Sequence, residues 1–172
     1  RVAPLTIPMS ISNIASGAIA IKFGLLGSSF SITSACASST HCIGEAYRNI
    51  KDGYSDIIFA GGSEASICEF GISSFQSLTA LSKSEDRNRA SIPFDLNRNG
   101  FVMGEGAGVL ILEDLESALK RGAKIYCEIV GYGTTSDAYH ITSPCPDGNG
   151  AYRCMRDAMA DTSVNCTEIS YI

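Results

Sequence analysis

The sequence has few of the features that mark a nucleic-acid-binding or membrane protein. Lysine and arginine never occur in a run longer than a pair, and 13 basic against 18 acidic residues give a formal net charge of −5. Because phosphate backbones need a positive face, no nucleic-acid partner is expected. Uninterrupted apolar stretches such as Val109–Leu112 and Ile57–Ala60 are far shorter than the roughly 20 residues that span a bilayer, so no membrane association is expected either.

Paired cysteines and clustered metal ligands are also missing from the sequence. The seven cysteines are odd in number, scattered and never spaced as C-x-x-C, and no signal peptide precedes the first residue, which favours a reducing compartment. His41 and His140 are far apart, so no metal site is expected. What the sequence does contain, 45% hydrophobic and 18% charged residues, is typical of a packed globular domain.

Short apolar strands alternate with helical patterns, which predicts an α/β protein with mostly parallel sheets. Strands are predicted at Ser29–Thr33, Asp56–Ala60, Gly108–Glu113 and Ile125–Thr134, and helices at about Ala37–Lys51, Gly71–Leu81, Leu115–Arg121 and Ala151–Met159. The chain opens on Arg1 rather than methionine and closes on Glu168–Ile172, which has the composition of a starting strand. We therefore expect these residues to be a piece of a longer protein.

The strongest local signal is one cysteine among small residues, between a predicted strand and a predicted helix, in Ser34–Thr40. A thiol at a helix N-terminus meets unpaired backbone N–H groups and the positive end of the helix dipole, which favour the reactive thiolate. Cys36 is therefore a candidate nucleophile, and its own N–H is a candidate donor to an oxyanion. The competing interpretation is a buried structural cysteine, which is the commonest role of a free cysteine.

A cysteine nucleophile usually works with an imidazole, and neither histidine is well placed for this role. His41 follows Cys36 by five residues, which turns it roughly 140° away around a helix. His140 lies in a predicted loop and is expected to be solvated. The base is therefore expected outside this chain.

Two glycine- or aspartate-rich segments imitate ligand loops. Gly104–Gly108 resembles a dinucleotide loop, but such a loop follows a strand and opens a helix, whereas here a strand follows, so close packing at a strand entry is predicted instead. Asp95–Gly100 copies the first half of a calcium loop, yet position twelve, which needs a bidentate glutamate, is Gly106. An Asx-rich turn is predicted there.

Several motifs together resemble the β-ketoacyl-acyl-carrier-protein synthases, and most closely the type II condensing enzyme of dissociated fatty-acid synthesis. They are Ser34–Thr40, Ala60–Glu64, Pro93–Asp95, Asn99–Gly108, Lys120–Ala123 and Ser136–His140, in the family's order and spacing over essentially the whole chain. The resemblance implies a thiolase-like α/β fold of five layers (αβαβα), of which this chain would be the middle portion. Residues 1–124 would be the later part of the first half and residues 125–172 the start of the second.

The resemblance also implies roles for individual residues. Cys36 matches the acylated nucleophile of a reaction in which malonyl-acyl carrier protein is decarboxylated and attacks the acyl thioester. Phe75 and Phe101 resemble residues that line the acyl pocket, and Thr142 or Ser143 would approach the phosphopantetheine arm of acyl carrier protein. The strand 56–60 resembles the one that pairs across the axis of a homodimer, which requires a free strand edge. No cofactor or metal is implied.

The family's catalytic histidines, its lysine and its second oxyanion donor have no counterpart among these 172 residues. The motifs present therefore predict acylation but not condensation. Two alternatives stay open. The first is a ketosynthase domain of a polyketide synthase, although Thr33-Ser34 replaces the Asp-Thr that is usual there. The second is a non-catalytic subunit or fragment that only dimerises, although such subunits typically lack the cysteine. The resemblance fits either a bacterial cytoplasm or a plastid stroma, and it leaves the acyl chain length undetermined.

Overall fold

In the computed structural model, which describes residues 2–172, the chain forms six α-helices and two β-strands. The helices are α1 (Thr6–Ser10), α2 (Ile14–Phe23), α3 (Ser38–Lys51), α4 (Glu69–Ser77), α5 (Leu115–Lys120) and α6 (Asn149–Ala160), and the strands are β1 (Ile57–Glu64) and β2 (Gly106–Glu113). The residues divide into two compact units. The first comprises residues 2–60 and 110–172, and the second is Gly61–Val109.

The first unit is organised around α3, whose apolar residues recur at the predicted helical spacing. Helix α3 ends at Lys51, and Gly53 follows in the left-handed conformation (φ +76°), which confirms the predicted stop. Its buried Gly44 faces the ring of Tyr132 so closely that a Cβ atom would lie 2.5 Å from the ring edge. The Arg48 guanidinium lies 4.7 Å from the centre of the same ring. The extended segment around Tyr132 therefore packs directly on α3.

Helix α6 packs on the same extended segment through two glycines. A Cβ atom at Gly131 would lie 2.5 Å from the carbonyl oxygen of Ala158, and one at Gly133 would lie 2.7 Å from the Ala158 nitrogen. The absence of side chains thus allows the two backbones to approach. The thiol of Cys154 donates to the Gly133 carbonyl at 3.1 Å, so the segment is held between α3 and α6 by contacts within the first unit.

The two strands pair in one antiparallel sheet, so the prediction of mostly parallel sheets is wrong for the pairing seen here. The Asp114 N–H donates to the Asp56 carbonyl at 2.9 Å, while Gly61 lies against Gly108 and Val109 further along. Residue numbers therefore rise in one strand as they fall in the other. At Gly61 a Cβ atom would come within 2.7 Å of the Val109 Cα, which explains a glycine in the interior of β1.

Three predicted strands are not formed. Ser29–Thr33 and Ile125–Thr134 carry no regular secondary structure. In the predicted starting strand Glu168–Ile172, the first residue ends a turn of 3₁₀-helix (Cys166–Glu168) and the others carry no regular secondary structure. A strand exists only where a neighbour completes its hydrogen bonds. Within residues 2–172 the only sheet is that of β1 and β2, and the one further pairing is an isolated parallel bridge between Leu81 and Phe101. Sequence periodicity alone does not reveal whether that neighbour is present.

The ends of the helices follow local rules. The carboxylate of Asp114 accepts from the Ser117 N–H at 3.0 Å and starts α5, and Gly122 (φ +67°) follows the basic residues at its end. Helix α4 begins two residues earlier than expected and stops at Ser77, with the Cys68 sulfur accepting from the Gly71 N–H. No helix among residues 2–172 combines the length and the apolar composition needed to cross a membrane.

Candidate active site

Cys36 lies in a tight turn immediately before α3. Residues Ala35–Ala37 form one turn of 3₁₀-helix. Two hydrogen bonds close it: the Ala37 N–H donates to the Ser34 carbonyl at 3.1 Å, and the Ser38 N–H donates to the Ala35 carbonyl. The Cys36 N–H takes part in neither of these two bonds, and the residue is exposed. The turn therefore presents both the thiol and an amide donor, which favours the nucleophile hypothesis over a buried structural cysteine.

The backbone of this turn is unusual because Ala35 has a φ of +50°. Left-handed backbone is disfavoured for a residue that carries a Cβ atom, and such residues persist only where their surroundings hold them. Ser38 supplies part of that support: its hydroxyl accepts from the Ser34 N–H at 2.8 Å and donates to the Ala35 carbonyl at 2.8 Å. The sequence places Cys36 at the start of the helix, but the structure places it in the turn two residues before the first residue of α3.

His41 does not pair with Cys36, in agreement with the angular argument from the sequence. Its Nδ1 lies 2.6 Å from the hydroxyl of Ser34, and its Nε2 lies 3.0 Å from the hydroxyl of Thr134. Both ring nitrogens are thus engaged by hydroxyl groups. A cavity of about 310 Å³ beside this histidine lies entirely within the first unit and is lined by Ala37, Thr40, His41, Gly133, Thr134, Thr135, Asp137, Gly150, Ala151 and Cys154.

Thr142 and Ser143, one of which is predicted to approach the phosphopantetheine arm, are exposed and are arranged around His140. Their backbone N–H groups both donate to His140 Nδ1 at 3.1 Å, and the Thr142 hydroxyl lies 3.4 Å from the same nitrogen. The sequence predicts a solvated loop histidine, and the residue is indeed exposed. The prediction does not include the role of His140 as the acceptor that shapes this loop. The pattern is nevertheless a usual one for turns, in which a polar side chain accepts from the backbone N–H groups two and three residues later.

The remainder of this loop is held by two carboxylates. The Asp137 carboxylate accepts from the Cys145 N–H at 2.9 Å through one oxygen. Its other oxygen occupies the position that a Cβ atom of residue 150 would take, so only glycine fits at Gly150. A hydrogen bond with the Asp147 carboxylate raises the pKa of the Cys145 thiol, so this cysteine is held as the thiol. The same bond lowers the pKa of Asp147.

Phe75 and Phe101 lie in the second unit and contact each other. Their rings are 5.3 Å apart between centres and nearly perpendicular, at 81°. Phe101 is fixed by its backbone, because its N–H donates to the Ala80 carbonyl at 3.0 Å and its carbonyl accepts from Ser82 at 2.9 Å. A cavity of about 670 Å³ in the same unit is lined by Ser91, Ile92, Pro93, Phe94, Arg98, Gly100 and Phe101, but not by Phe75. Whether the two rings line an acyl pocket stays a prediction.

The two segments that imitate ligand loops have structural roles. The Asp95 carboxylate accepts from the Asn97 N–H at 2.8 Å, as the predicted Asx turn requires, and the Arg89 guanidinium donates to it at 3.0 Å. Both bonds lower the pKa of Asp95, the backbone one most. Gly106 and Gly108 lie in β2, as predicted for a strand entry, but the predicted close packing is wrong, because a Cβ atom at Gly104, Gly106 or Gly108 would have no neighbour within 4 Å. Within residues 2–172 no group of three histidine, cysteine or acidic side chains is placed to hold a metal ion.

Comparison with known proteins matches both parts of the chain to one family. Residues 1–118 match the model described as "Beta-ketoacyl synthase, N-terminal domain", and residues 126–172 match the corresponding C-terminal domain. The whole chain is 50% identical over 173 residues to "3-oxoacyl-[acyl-carrier-protein] synthase 2" of Synechocystis sp. and 46% identical over 174 residues to the protein of that name from Rhizobium meliloti. It covers 42% and 41% of these two relatives, so the chain spans about two fifths of their length.

Solved structures agree with this assignment. A type II polyketide ketosynthase in complex with its acyl-carrier protein, bound to the hexaketide, superposes with a TM-score of 0.94 at 37% identity, over 98% of this chain and 42% of that one. A β-ketoacyl synthase from Burkholderia phymatum gives 0.89 at 34% identity, over 99% and 41%. The predicted division at residue 124 stays a prediction, whereas the predicted fold, a portion of the thiolase-like α/β fold, is confirmed. The chain belongs to the β-ketoacyl synthase family.

Proposed function

We propose that these residues are part of a 3-oxoacyl-[acyl-carrier-protein] synthase of fatty-acid elongation, with Cys36 as the acyl acceptor. The observation that carries the proposal is the exposed Cys36 on a left-handed turn before α3, in a chain that is 46–50% identical to synthases of that name. The other cysteines do not share this arrangement; for Cys145, for example, the Asp147 carboxylate raises the pKa of the thiol.

In the first stage, the Cys36 sulfur attacks the carbonyl carbon of an acyl thioester carried by acyl carrier protein. The new bond joins this carbon to the Cys36 sulfur, and the negative charge of the tetrahedral intermediate develops on the former carbonyl oxygen. The Cys36 N–H, which is outside both bonds that close the turn, is the donor we assign to that oxygen. The phosphopantetheine sulfur leaves and takes up a proton.

In the second stage, malonyl-acyl carrier protein loses its carboxyl group as carbon dioxide, and the resulting carbanion attacks the Cys36 thioester. The bond between the carbonyl carbon and the Cys36 sulfur breaks, which releases the 3-oxoacyl product on the carrier and returns the free thiol after one protonation. The histidines that the resemblance assigns to this stage have no counterpart among these residues. His41 cannot replace them while both of its ring nitrogens are engaged.

Substrate contacts are proposed for the remaining predicted residues. Phe75 and Phe101 present adjoining aromatic surfaces suited to an acyl chain, and Thr142 and Ser143 lie in an exposed loop suited to the phosphopantetheine arm. Acyl carrier protein is the proposed partner, supported by the similar ketosynthase whose structure contains its own acyl-carrier protein. No cofactor is proposed, because carbon–carbon bond formation is driven by loss of carbon dioxide.

A homodimer joined through β1 is proposed on the geometry of the sheet. Strand β1 pairs with β2 along one edge, and within residues 2–172 no third strand pairs with the sheet. A free edge with an exposed Ile57 beside it suits pairing with a second copy. We further propose a bacterial cytoplasm or a plastid stroma as the compartment.

The competing function is a polyketide ketosynthase, which would use the same cysteine chemistry on other acyl chains. It is favoured by the TM-score of 0.94 to such an enzyme, but the 37% identity is lower than the 46–50% to the fatty-acid synthases.

Mass spectrometry tests the proposal. The protein as it occurs in cells is first weighed intact, because a mass well above 18.2 kDa is expected if these residues belong to a complete synthase. It is then incubated with a saturated acyl-acyl carrier protein and digested. The acyl mass is expected on the Cys36 peptide, absent in Cys36→Ala and retained in Cys127→Ala, which also removes an exposed cysteine. Addition of malonyl-acyl carrier protein should then release a 3-oxoacyl product. Acylation at another cysteine, or at none, would contradict the proposal.

A further inference from the structure

We infer that His41 is a positioning residue, which holds the turn that presents Cys36 through its bond to Ser34. This inference rests on the proposed function of Cys36 and adds a residue to it. His41 does not touch the reacting sulfur in this arrangement, since its two nitrogens contact hydroxyl groups. It acts on the backbone that carries the sulfur.

The bond between Ser34 and His41 joins the two sides of the turn. Ser34 lies before the left-handed Ala35, and His41 lies in the first turn of α3, seven residues further along the chain. At 2.6 Å this is a short hydrogen bond between partly buried groups. The backbone N–H of Ser34 is meanwhile bound by the Ser38 hydroxyl, so both the main chain and the side chain of Ser34 are tied to α3.

The second partner of His41 lies in a different segment from the turn. The hydroxyl of Thr134 is 3.0 Å from Nε2. A neutral imidazole has one N–H and one free lone pair, and a hydroxyl group both donates and accepts, so the two ring nitrogens can bind the two hydroxyl groups at once. Only the bond at Nδ1 reaches Ser34 and therefore the turn before Cys36.

This support is placed where the backbone is least stable by itself. Ala35 has a Cβ atom and a φ of +50°, so the turn relaxes if the groups around it are removed. Relaxation at Ala35 rotates the next residue, Cys36, and moves the sulfur and the N–H together. A displacement of about 1 Å at a reacting group costs up to about a hundredfold in rate.

Two amide substitutions of His41 separate the two bonds, because each amide reaches only one of the two nitrogen positions. Asparagine places its amide near the position of Nδ1, so His41→Asn can still bind Ser34 but loses Thr134. Glutamine places its amide near Nε2, so His41→Gln can still bind Thr134 but loses Ser34. Ser34→Ala and Thr134→Val remove the same bonds from the other side.

The experiment measures the single-turnover rate of Cys36 acylation by acyl-acyl carrier protein, in the complete protein, over a range of donor concentrations. We expect His41→Gln and Ser34→Ala to lower the rate at saturating donor by about tenfold or more, with the half-saturating donor concentration unchanged. His41→Asn and Thr134→Val should stay within about threefold of the wild type, so that asparagine rescues the turn. Melting temperatures of the four variants are recorded alongside.

The inference would be overturned if His41→Asn and Thr134→Val lowered the acylation rate while His41→Gln and Ser34→Ala left it unchanged. That result would show that His41 only holds the segment that contains Thr134. Wild-type acylation rates in both Ser34→Ala and His41→Gln would overturn the inference as well. If His41→Gln fails to fold, Ser34→Ala alone decides. A wild-type protein that is not acylated at Cys36 would refute the proposed function, and with it the inference, and is recognised before any variant is compared.

Discussion

Gly44 shows how a single missing side chain fixes the packing of the first unit. It lies in the interior of α3, where glycine is normally unfavourable, yet the ring of Tyr132 occupies the space that a Cβ atom would fill. Tyr132 is itself buried, with 9% of its surface exposed, and burial raises the pKa of its phenol. The ring and the helix are therefore fitted to each other at this position.

We predict that Gly44→Ala destabilises the protein. The gain in helix propensity is outweighed by overlap with a ring held between α3 and α6, and overpacking of this kind typically costs about 1–3 kcal/mol. The measurement is urea unfolding of the complete protein. Gly17→Ala is the matched control, because Gly17 is also inside a helix but has no atom within 4 Å of its Cβ position. The control should gain about 0.5–1 kcal/mol. Equal effects of the two substitutions would contradict this account.

The candidate site was partly predictable at this scale. Cys36 stands out in the sequence because a predicted strand, a run of small residues and a predicted amphipathic helix follow one another within a few residues of it. The angular argument correctly separates His41 from Cys36, but it gives no means of finding Thr134, which lies 93 residues away in the sequence. The left-handed Ala35 was also not foreseen, because nothing in an alanine indicates a positive φ.

At the scale of elements, helices were predicted better than strands for a physical reason. A helix satisfies its backbone within one segment, so α3 and α6 agree with their predicted ranges to within two residues. A strand depends on a neighbour, and Ile125–Thr134 packs on α3 through Tyr132 and on α6 through Gly131 and Gly133 without becoming part of a ladder. Helices α1 and α2 were missed because their exposed apolar residues follow no clear period.

The ends of α3 and α6 are joined by an ion pair with a predictable pH dependence. Lys51 Nζ lies 2.5 Å from a carboxylate oxygen of Asp161, whose other oxygen accepts from the Tyr132 N–H at 3.2 Å. The hydrogen bond to Lys51 lowers the pKa of Asp161 below its ordinary 3.8, and the same bond raises the pKa of Lys51 above 10.5. The pair thus links the residue that ends α3 to the residue that follows α6.

We predict that Asp161→Asn lowers the free energy of unfolding at neutral pH and that this loss disappears in acid. The stabilising effect of Asp161 is complete above about pH 3.8 and is lost as the pH falls through its lower folded pKa. That of Lys51 is complete below about pH 10.5 and is lost as the pH rises through its higher folded pKa. Urea unfolding at several pH values should therefore give curves for wild type and variant that converge only at the two extremes.

Asp157→Asn is the control for this experiment. Asp157 pairs with the adjacent Arg156, and both side chains are largely exposed, at 41% and 58%. Such surface pairs contribute little. A difference between wild type and Asp161→Asn that persists unchanged well below pH 3.8, or one no larger than that of the control, would rule out the ion pair as the cause.

On the scale of the whole molecule, the described residues bury very little. The buried apolar residues among them are Ala46, Ala60, Ala118 and Tyr132, and the accessible surface is 13753 Å². A compact protein of 18.2 kDa would expose only about 8,100 Å² by the usual scaling with mass. Much of the excess is apolar: Val109, Leu110 and Ile111, which are consecutive in β2, are 47%, 52% and 61% exposed. Because successive side chains of a strand point to opposite faces, three exposed apolar residues in a row leave both faces of β2 uncovered.

We predict that the 172 residues alone do not form a stable monomer, because exposed apolar surface of this extent favours association over independent folding. The isolated polypeptide should bind a hydrophobic dye strongly, elute as concentration-dependent oligomers in size-exclusion chromatography and unfold without a cooperative transition. The complete protein, measured in parallel, should bind little dye and unfold cooperatively. An isolated chain that stays monomeric at micromolar concentration, binds no dye and unfolds in one sharp transition would show that these residues bury their apolar side chains by themselves. The exposed faces of β1 and β2 would then need no covering from the rest of the protein.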